Sequence, residues 1–141
     1  MSGRIIQVIP RTDFAFNLPA NGTQEVFLGE RGYDMRDWVS GIFHVLLHAK
    51  NFTASASAFA DFNVYNSFFD PQDPTVLWAN AAAAAPGKAS VANGDVAPLL
   101  YTAALTSPIG AYGRCSLLFN QGANTGACTL TASVYLLGRD A

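Results

Sequence analysis

The chain has 141 residues, of which only 13% are charged, compared with about 25% in an ordinary globular domain. Its net charge is −2 and its 8 basic residues are scattered, which argues against a nucleic-acid partner because such proteins concentrate basic residues on one surface. No apolar run reaches the roughly 18–20 residues that cross a bilayer, so we expect no membrane partner. The length predicts one domain, and the first residues lack the pattern of a secretory signal, so we expect assembly in the cytoplasm.

Two strands are predicted near the N-terminus. The segments 3–11 (GRIIQVIPR) and 23–29 (TQEVFLG) have strand character and are separated by turn residues. We interpret residues 1–22 as an N-terminal arm or first strand that could pair with a neighbour's sheet edge, and residues 23–141 as a single β-sandwich domain.

The next segment, 35–52 (MRDWVSGIFHVLLHAKNF), fits either a helix capped at Asp37 or a strand from Val39 to Ala49. Gly41 and the β-branched and aromatic residues favour the strand. On a helix, His44 and His48 could hold one metal ion. On a strand they lie about 13 Å apart, too far to share an ion, so we expect no metal site and two half-buried histidines.

Strict alternation follows in residues 54–69 (ASASAFADFNVYNSFF), which predicts a strand with one face on the core. The even positions from Ala54 to Val64 are apolar and mostly small. The odd positions are mostly polar, but Phe59 and Tyr65 interrupt that pattern, so the odd face should be partly covered.

Two further strands are predicted at 75–80 (TVLWAN) and 98–106 (PLLYTAALT), with the alanine-rich segment 78–89 as a loop or short helical turn. Alternation in 114–120 (RCSLLFN) and 127–137 (ACTLTASVYLL), joined by the turn sequence QGANTG, predicts a hairpin. Cys115 and Cys128 then point to the core too far apart for a disulfide, so we expect two buried thiols.

Short strands with this spacing predict an all-β fold, an antiparallel sandwich or barrel. Asp70 and Asp73 form the tightest carboxylate pair, but each precedes a proline and is better explained by turn capping than by calcium binding. No catalytic, metal or cofactor motif is present, so we expect no enzyme and no cofactor.

The aromatic residues allow two interpretations. Trp38, Tyr65, Trp78 and Tyr112 could form a sugar-stacking platform, as in carbohydrate-binding β-sandwich modules. A sandwich of this size also needs many aromatic side chains to fill its core, and we favour that interpretation.

Four segments resemble the small jelly-roll proteins in the structural modules of tailed bacteriophages: 34–49 (DMRDWVSGIFHVLLHA), 60–79 (ADFNVYNSFFDPQDPTVLWA), 96–119 (VAPLLYTAALTSPIGAYGRCSLLF) and 125–141 (TGACTLTASVYLLGRDA). The resemblance implies a jelly roll of about eight strands and a role as a capsid, capsid-decoration or appendage protein. It carries no catalytic residues to transfer.

The low charge favours the same function, because surfaces with few ions can be buried against other subunits at low desolvation cost. We therefore expect a virion protein that forms homo-oligomers and contacts other capsid proteins. The candidate interface residues are Phe59, Tyr65, Asp70, Asp73 and Tyr112. The alternative is a carbohydrate-binding module or receptor-binding tip, with a glycan as its partner.

Overall fold

The computed structural model describes residues 3–52, 56–73, 75, 78–80, 89–105 and 109–140. Within these ranges the secondary structure consists of β-strands and their connections. The strands are β1 (Gly3–Phe16), β2 (Thr23–Asp34), β3 (Trp38–Asn51), β4 (Phe59–Ser67), β5 (Ala79–Asn80), β6 (Ala89–Val91), β7 (Leu99–Ala104), β8 (Tyr112–Asn120) and β9 (Cys128–Asp140).

The strands form two antiparallel sheets packed face to face. The first sheet has the order β1-β9-β3-β7, and the second has the order β2-β8-β4-β5, with β6 also pairing with β4. The chain passes from one sheet to the other at most connections, which is the topology of a jelly roll. The predicted all-β sandwich of jelly-roll type is therefore confirmed.

Alternation along each strand builds the core between the sheets. Phe43, Val45 and Leu47 of β3 face Phe62 and Val64 of β4, and none of these side chains is exposed. The predicted inward positions of β4 are thus confirmed from Ala58 onward, while 53–55 lie outside the described residues.

The predicted strand at 54–69 is wrong at its start. β4 begins at Phe59, and residues 56–57 form a turn. The reason is that β3 and β4 belong to different sheets, so the chain has to turn across the edge of the core before it can extend again.

Residues 38–51 form a strand, which confirms the favoured interpretation of the ambiguous segment. Both histidines are half-buried on its outer side, and His48 Nε2 lies 3.0 Å from Ser133 Oγ. The predicted strands at 75–80 and 98–106 are shorter in the structure, as β5 and β7; residues 74, 76, 77, 81–88 and 106 lie outside the described residues.

The predicted hairpin between 114–120 and 127–137 is wrong. β8 pairs with β2 and β4 in the second sheet, whereas β9 pairs with β1 and β3 in the first. The connecting segment crosses the end of the sandwich. The two strands therefore direct their apolar side chains at each other across the core, and a shared alternation cannot distinguish this arrangement from a hairpin.

The side chain of Gln121 holds the β8–β9 connection in place and is fully buried. Its Oε1 accepts a hydrogen bond from the Leu18 backbone at 3.0 Å, and its Nε2 donates to the carbonyls of Asn124 and Gly126 at 3.1 and 2.8 Å. One amide thus joins the β1–β2 and β8–β9 connections at the same end of the molecule.

Residues 3–16 form an edge strand of the first sheet, paired with β9. In the single chain this segment packs as the first strand of the sandwich. Pro10 and two register shifts, near Val8 and between Ile9 and Thr12, interrupt the ladder. Such irregularities protect an edge from pairing with another chain, so the β1 edge is poorly suited to extending a neighbour's sheet.

Cys115 and Cys128 are both fully buried and form no disulfide, as predicted. Burial raises the pKa of Cys115 to about 12, because the thiolate is poorly solvated in the core. We expect no reaction of either thiol with Ellman's reagent in the folded protein at about pH 8, and reaction of both in guanidinium, measured by absorbance. Rapid reaction of one thiol in the native protein would show that the β8–β9 side of the core opens.

Candidate interaction surfaces

The outer face of the first sheet carries an apolar row that crosses all four strands. Ile5 lies opposite Leu137, which lies opposite Ile42, which lies opposite Ala104. A second row places Leu46 beside Leu100. We refer to Ile5, Ile42, Leu46, Leu100 and Leu137 as the apolar face.

The apolar face is open to solvent. Ile5, Leu100 and Ile42 are 72%, 55% and 44% exposed to solvent, although residues of this type are normally buried. His44 and Tyr135 lie between the two rows, and with Ile5, Leu46, Leu100 and Leu137 they line a shallow groove of about 310 Å³. The sheet therefore presents apolar side chains on both of its sides.

The outer face of the second sheet combines hydrogen-bonded polar groups with the exposed rings of Phe27 and Phe59. Tyr65 and Ser116 both donate to Glu25 Oε2, each at 2.9 Å. Ser90 donates to Asp61 Oδ1 at 2.5 Å. Burial, and then the hydrogen bond to Glu25, raise the pKa of Tyr65, so its hydroxyl remains a donor. The two outer faces thus differ in chemistry.

A pocket of about 200 Å³ opens on this face, lined by Glu25, Phe27, Tyr65, Trp78 and Arg114, which we call the aromatic pocket. The guanidinium of Arg114 lies over the Phe27 ring, with Cζ 3.6 Å from the ring centroid. Burial, and then repulsion by Arg31, lower the pKa of Arg114, which stays protonated. The pocket therefore combines three rings, a carboxylate and a cation.

The five predicted interface residues do not form one cluster. Phe59 begins β4 at one end of the second sheet, whereas Tyr112 begins β8 at the other end, opposite Ser67. Tyr65 lies between them as a wall of the aromatic pocket. Whether any of the five contacts another subunit stays a prediction.

Asp70 and Asp73 lie in the loop after β4 and shape it. Asp70 Oδ1 accepts from the Gln72 backbone and Asp73 Oδ1 from the Thr75 backbone, both at 2.9 Å, as the turn-capping interpretation predicted. Arg31 fastens the loop from β2 by donating to the Pro71 carbonyl. The exposed large apolar side chains that the structure describes on this loop are Phe68 and Phe69, at 64% and 69%, and neither is among the predicted interface residues.

The four aromatic residues of the predicted sugar-stacking platform do not lie together in the structure. Trp38 is buried in the core, and Tyr112 lies beneath Arg36, 5.8 Å from its guanidinium carbon. Arg36 is paired with Asp34 at 2.8 Å, and its hydrogen bonds lower the pKa of Asp34 to about 2. Tyr65 and Trp78 remain together at the aromatic pocket.

Among the described residues, no group of three or more His, Cys, Asp or Glu side chains is arranged to hold a metal ion. The described part of the chain also contains no helix long and apolar enough to cross a membrane.

The fold is similar to that of a chain in a solved virus structure. A chain in the structure of the infectious bursal disease virus Gx strain superimposes with a TM-score of 0.56 over 96% of this chain, at 15% sequence identity. The fold is shared with a protein of a virus particle. This chain spans 31% of that protein, so it corresponds to a part of it.

A chain of the VP2 subviral particle of the same virus aligns with 99% of this chain and 42% of its own length, at 11% identity and a TM-score of 0.39, too low to carry an argument. No protein-family model matches the sequence, and no curated protein is significantly similar to it. The match to the Gx-strain structure agrees with the jelly-roll fold, and the comparisons give no support to the predicted resemblance to tailed-bacteriophage proteins.

Proposed function

We propose that this chain is a non-enzymatic structural subunit of a virus particle, acting as a capsid, capsid-decoration or appendage component. It assembles with copies of itself and with other capsid proteins, in the host cytoplasm. The observation that carries this proposal is the apolar face, because the largest exposed apolar patch of a protein often marks a contact with another protein.

Copies pairing through the apolar face explain why one sheet is apolar on both sides. The stretch from Ser40 to His48 covers about 26 Å along β3, and four strands cover about 19 Å, which gives on the order of 500 Å² for each copy. Two such faces bury about 1,000 Å², which meets the lower limit for a specific interface. A face that pairs with itself forms a two-fold dimer, the commonest symmetric arrangement.

Contacts at the β1 edge of the first sheet are less favourable than contacts through its face. Pro10 and the register shifts of β1 interrupt the row of backbone donors and acceptors that a neighbouring strand would use. The exposed Phe68 and Phe69, on the loop that Asp70 and Asp73 shape, supply a second contact for other capsid proteins.

The first test is the mass of the full chain in solution, measured by light scattering during size-exclusion chromatography. We expect dimers or larger species for the wild type. Replacing both Ile42 and Leu100 with glutamate should weaken association by at least about a hundredfold, because each interface would bury unpaired carboxylates. The fold should persist, since both side chains face solvent in the single chain.

The control is Val96→Glu, which changes an exposed aliphatic residue outside the apolar face and should leave association unchanged. A wild type that stays monomeric at high concentration would contradict assembly. Oligomers that survive in the double variant but disappear in a Phe68→Asp, Phe69→Asp variant would place the self-contact at the loop instead of the apolar face.

A further inference from the structure

The aromatic pocket has a polar composition that assembly does not explain. Glu25 uses Oε2 for both of its hydrogen bonds, and Oε1 accepts none from the described residues. Arg114 makes no ion pair or hydrogen bond to any residue that the structure describes, although it is half-buried. An acceptor and a fork of donors are therefore both available at one site.

Trp78 adds a third group without a partner. Its Nε1 is buried and finds no acceptor in the described part of the chain. A buried donor that is left unsatisfied is rare in folded proteins, because it loses water without gaining a replacement. This unpaired donor belongs to a side chain that lines the pocket.

The rings supply the apolar part of the pocket. Phe27, Tyr65 and Trp78 come from β2, β4 and the segment before β5, and they converge on one opening. Tyr and Trp present a flat apolar surface next to a polar group, and they lose little side-chain freedom when they bind. Such surfaces suit a ligand that has an apolar side and a polar rim.

These groups restrict the ligand. It must donate to Glu25, accept from Arg114, and place an apolar surface on the rings. A pyranose ring does all three, since its hydroxyls both donate and accept and its C–H groups form an apolar side. A carboxylate or sulfate group would satisfy Arg114 but would be repelled by Glu25.

The size of the pocket is consistent with one sugar unit. Its volume of about 200 Å³ is below the roughly 300–1,000 Å³ of sites that hold drug-sized molecules. The pocket is open on the solvent side, where Glu25 and Phe27 are exposed, so a terminal residue of a longer chain can enter.

We propose that the aromatic pocket binds a neutral hexopyranose unit of a glycan. The pocket lies on the second sheet, opposite the apolar face, so it stays accessible when copies pair through the first sheet. The inference does not rest on the assembly proposal, and each can fail without the other.

The test uses the full wild-type chain and saturation-transfer NMR with glucose, galactose, mannose and N-acetylglucosamine, followed by titration of any sugar that binds. Trp38 is buried in the core, so a change of tryptophan fluorescence on binding reports mainly on Trp78. We expect at least one hexose to bind with a dissociation constant in about the millimolar range, which corresponds to a few hydrogen bonds and one stacked ring.

Glu25→Gln and Arg114→Ala should each weaken that binding by about tenfold or more, because each removes a charge-assisted hydrogen bond. Trp78→Phe keeps a ring but loses the indole N–H and should weaken binding less. The matched control is Glu30→Gln, an exposed carboxylate on the same strand outside the pocket, which should have no effect. Far-ultraviolet circular dichroism of every variant checks the fold.

Binding of none of the four hexoses, at the highest concentrations that the protein tolerates, would overturn the inference. Binding that Glu25→Gln and Arg114→Ala leave unchanged would also overturn it, because the sugar would then lie elsewhere. Binding of N-acetylneuraminic acid or inorganic sulfate in place of the neutral sugars, lost in Arg114→Ala and strengthened in Glu25→Gln, would show an anion site.

Discussion

Phe119→Ala is expected to lower the free energy of unfolding by about 3–5 kcal/mol. Phe119 is fully buried near the end of β8, where its ring stacks on Phe16 with centroids 4.4 Å apart and planes within 8°. Phe52 meets the same ring edge-on at 5.7 Å. Alanine would leave a cavity beside Phe16 of β1 and Phe52, which directly follows β3, so the contact between the sheets would be lost at this end.

The measurement is guanidinium unfolding followed by circular dichroism, with wild type and variant at the same concentration, since association adds to apparent stability. Val96→Ala serves as the control. Its side chain is 78% exposed and lies outside both proposed contacts, so the change should stay within about 0.5 kcal/mol. A loss below about 1 kcal/mol for Phe119→Ala would show that the three rings do not close this end of the sandwich.

The alternation in the sequence was enough to predict which side chains form the core. Leu117, Phe119, Leu130 and Val134 are all buried as predicted, because a strand with one face on the core must repeat every two residues. Alternation specifies the buried side of a strand, but not the sheet to which the strand belongs. For this reason β8 and β9 were predicted as neighbours although they lie in different sheets.

The candidate sites were harder to predict for the same reason. Glu25, Tyr65, Trp78 and Arg114 come from four separate segments, and only the order of β2, β8, β4 and β5 in the second sheet brings them together. The apolar face was missed because apolar residues on both sides of a strand look the same in sequence as a strand buried on both sides. Ile42 is an example, since it flanks fully buried Phe43 and is itself 44% exposed.

The proposed function depends on a difference between the outer faces of the two sheets. The first sheet leaves aliphatic side chains in water, whereas the second satisfies its polar groups through Glu25, Tyr65 and Ser116. A subunit that covers one sheet with neighbours and exposes the other to solvent needs this asymmetry. If the chain assembles as proposed, its low charge is explained by burial against neighbouring subunits.

Gln121→Met is expected to lower the free energy of unfolding by about 2–3 kcal/mol. Methionine has nearly the same length, so the packing changes little, but the amide loses its three hydrogen bonds to backbone groups and its weak one to Cys128 Sγ. The Leu18 N–H is partly buried and would lose its acceptor. The carbonyls of Asn124 and Gly126 lie nearer the surface and regain some water, which limits the cost.

Gln72→Met, at an exposed loop position, is the control and should change stability by less than about 0.5 kcal/mol. A second variant, Gln121→Glu, separates hydrogen bonding from shape. Its carboxylate would be buried and would face two carbonyls, so its pKa in the folded protein should rise above the unfolded value of about 4.3. Because the folded state then binds more protons than the unfolded state, this variant should lose stability relative to wild type as the pH rises above about 4, and regain it in acid, where the neutral acid can donate. Equal destabilisation of the Gln121→Glu variant at every pH would show that the crossing depends on the shape of this side chain and not on its donors.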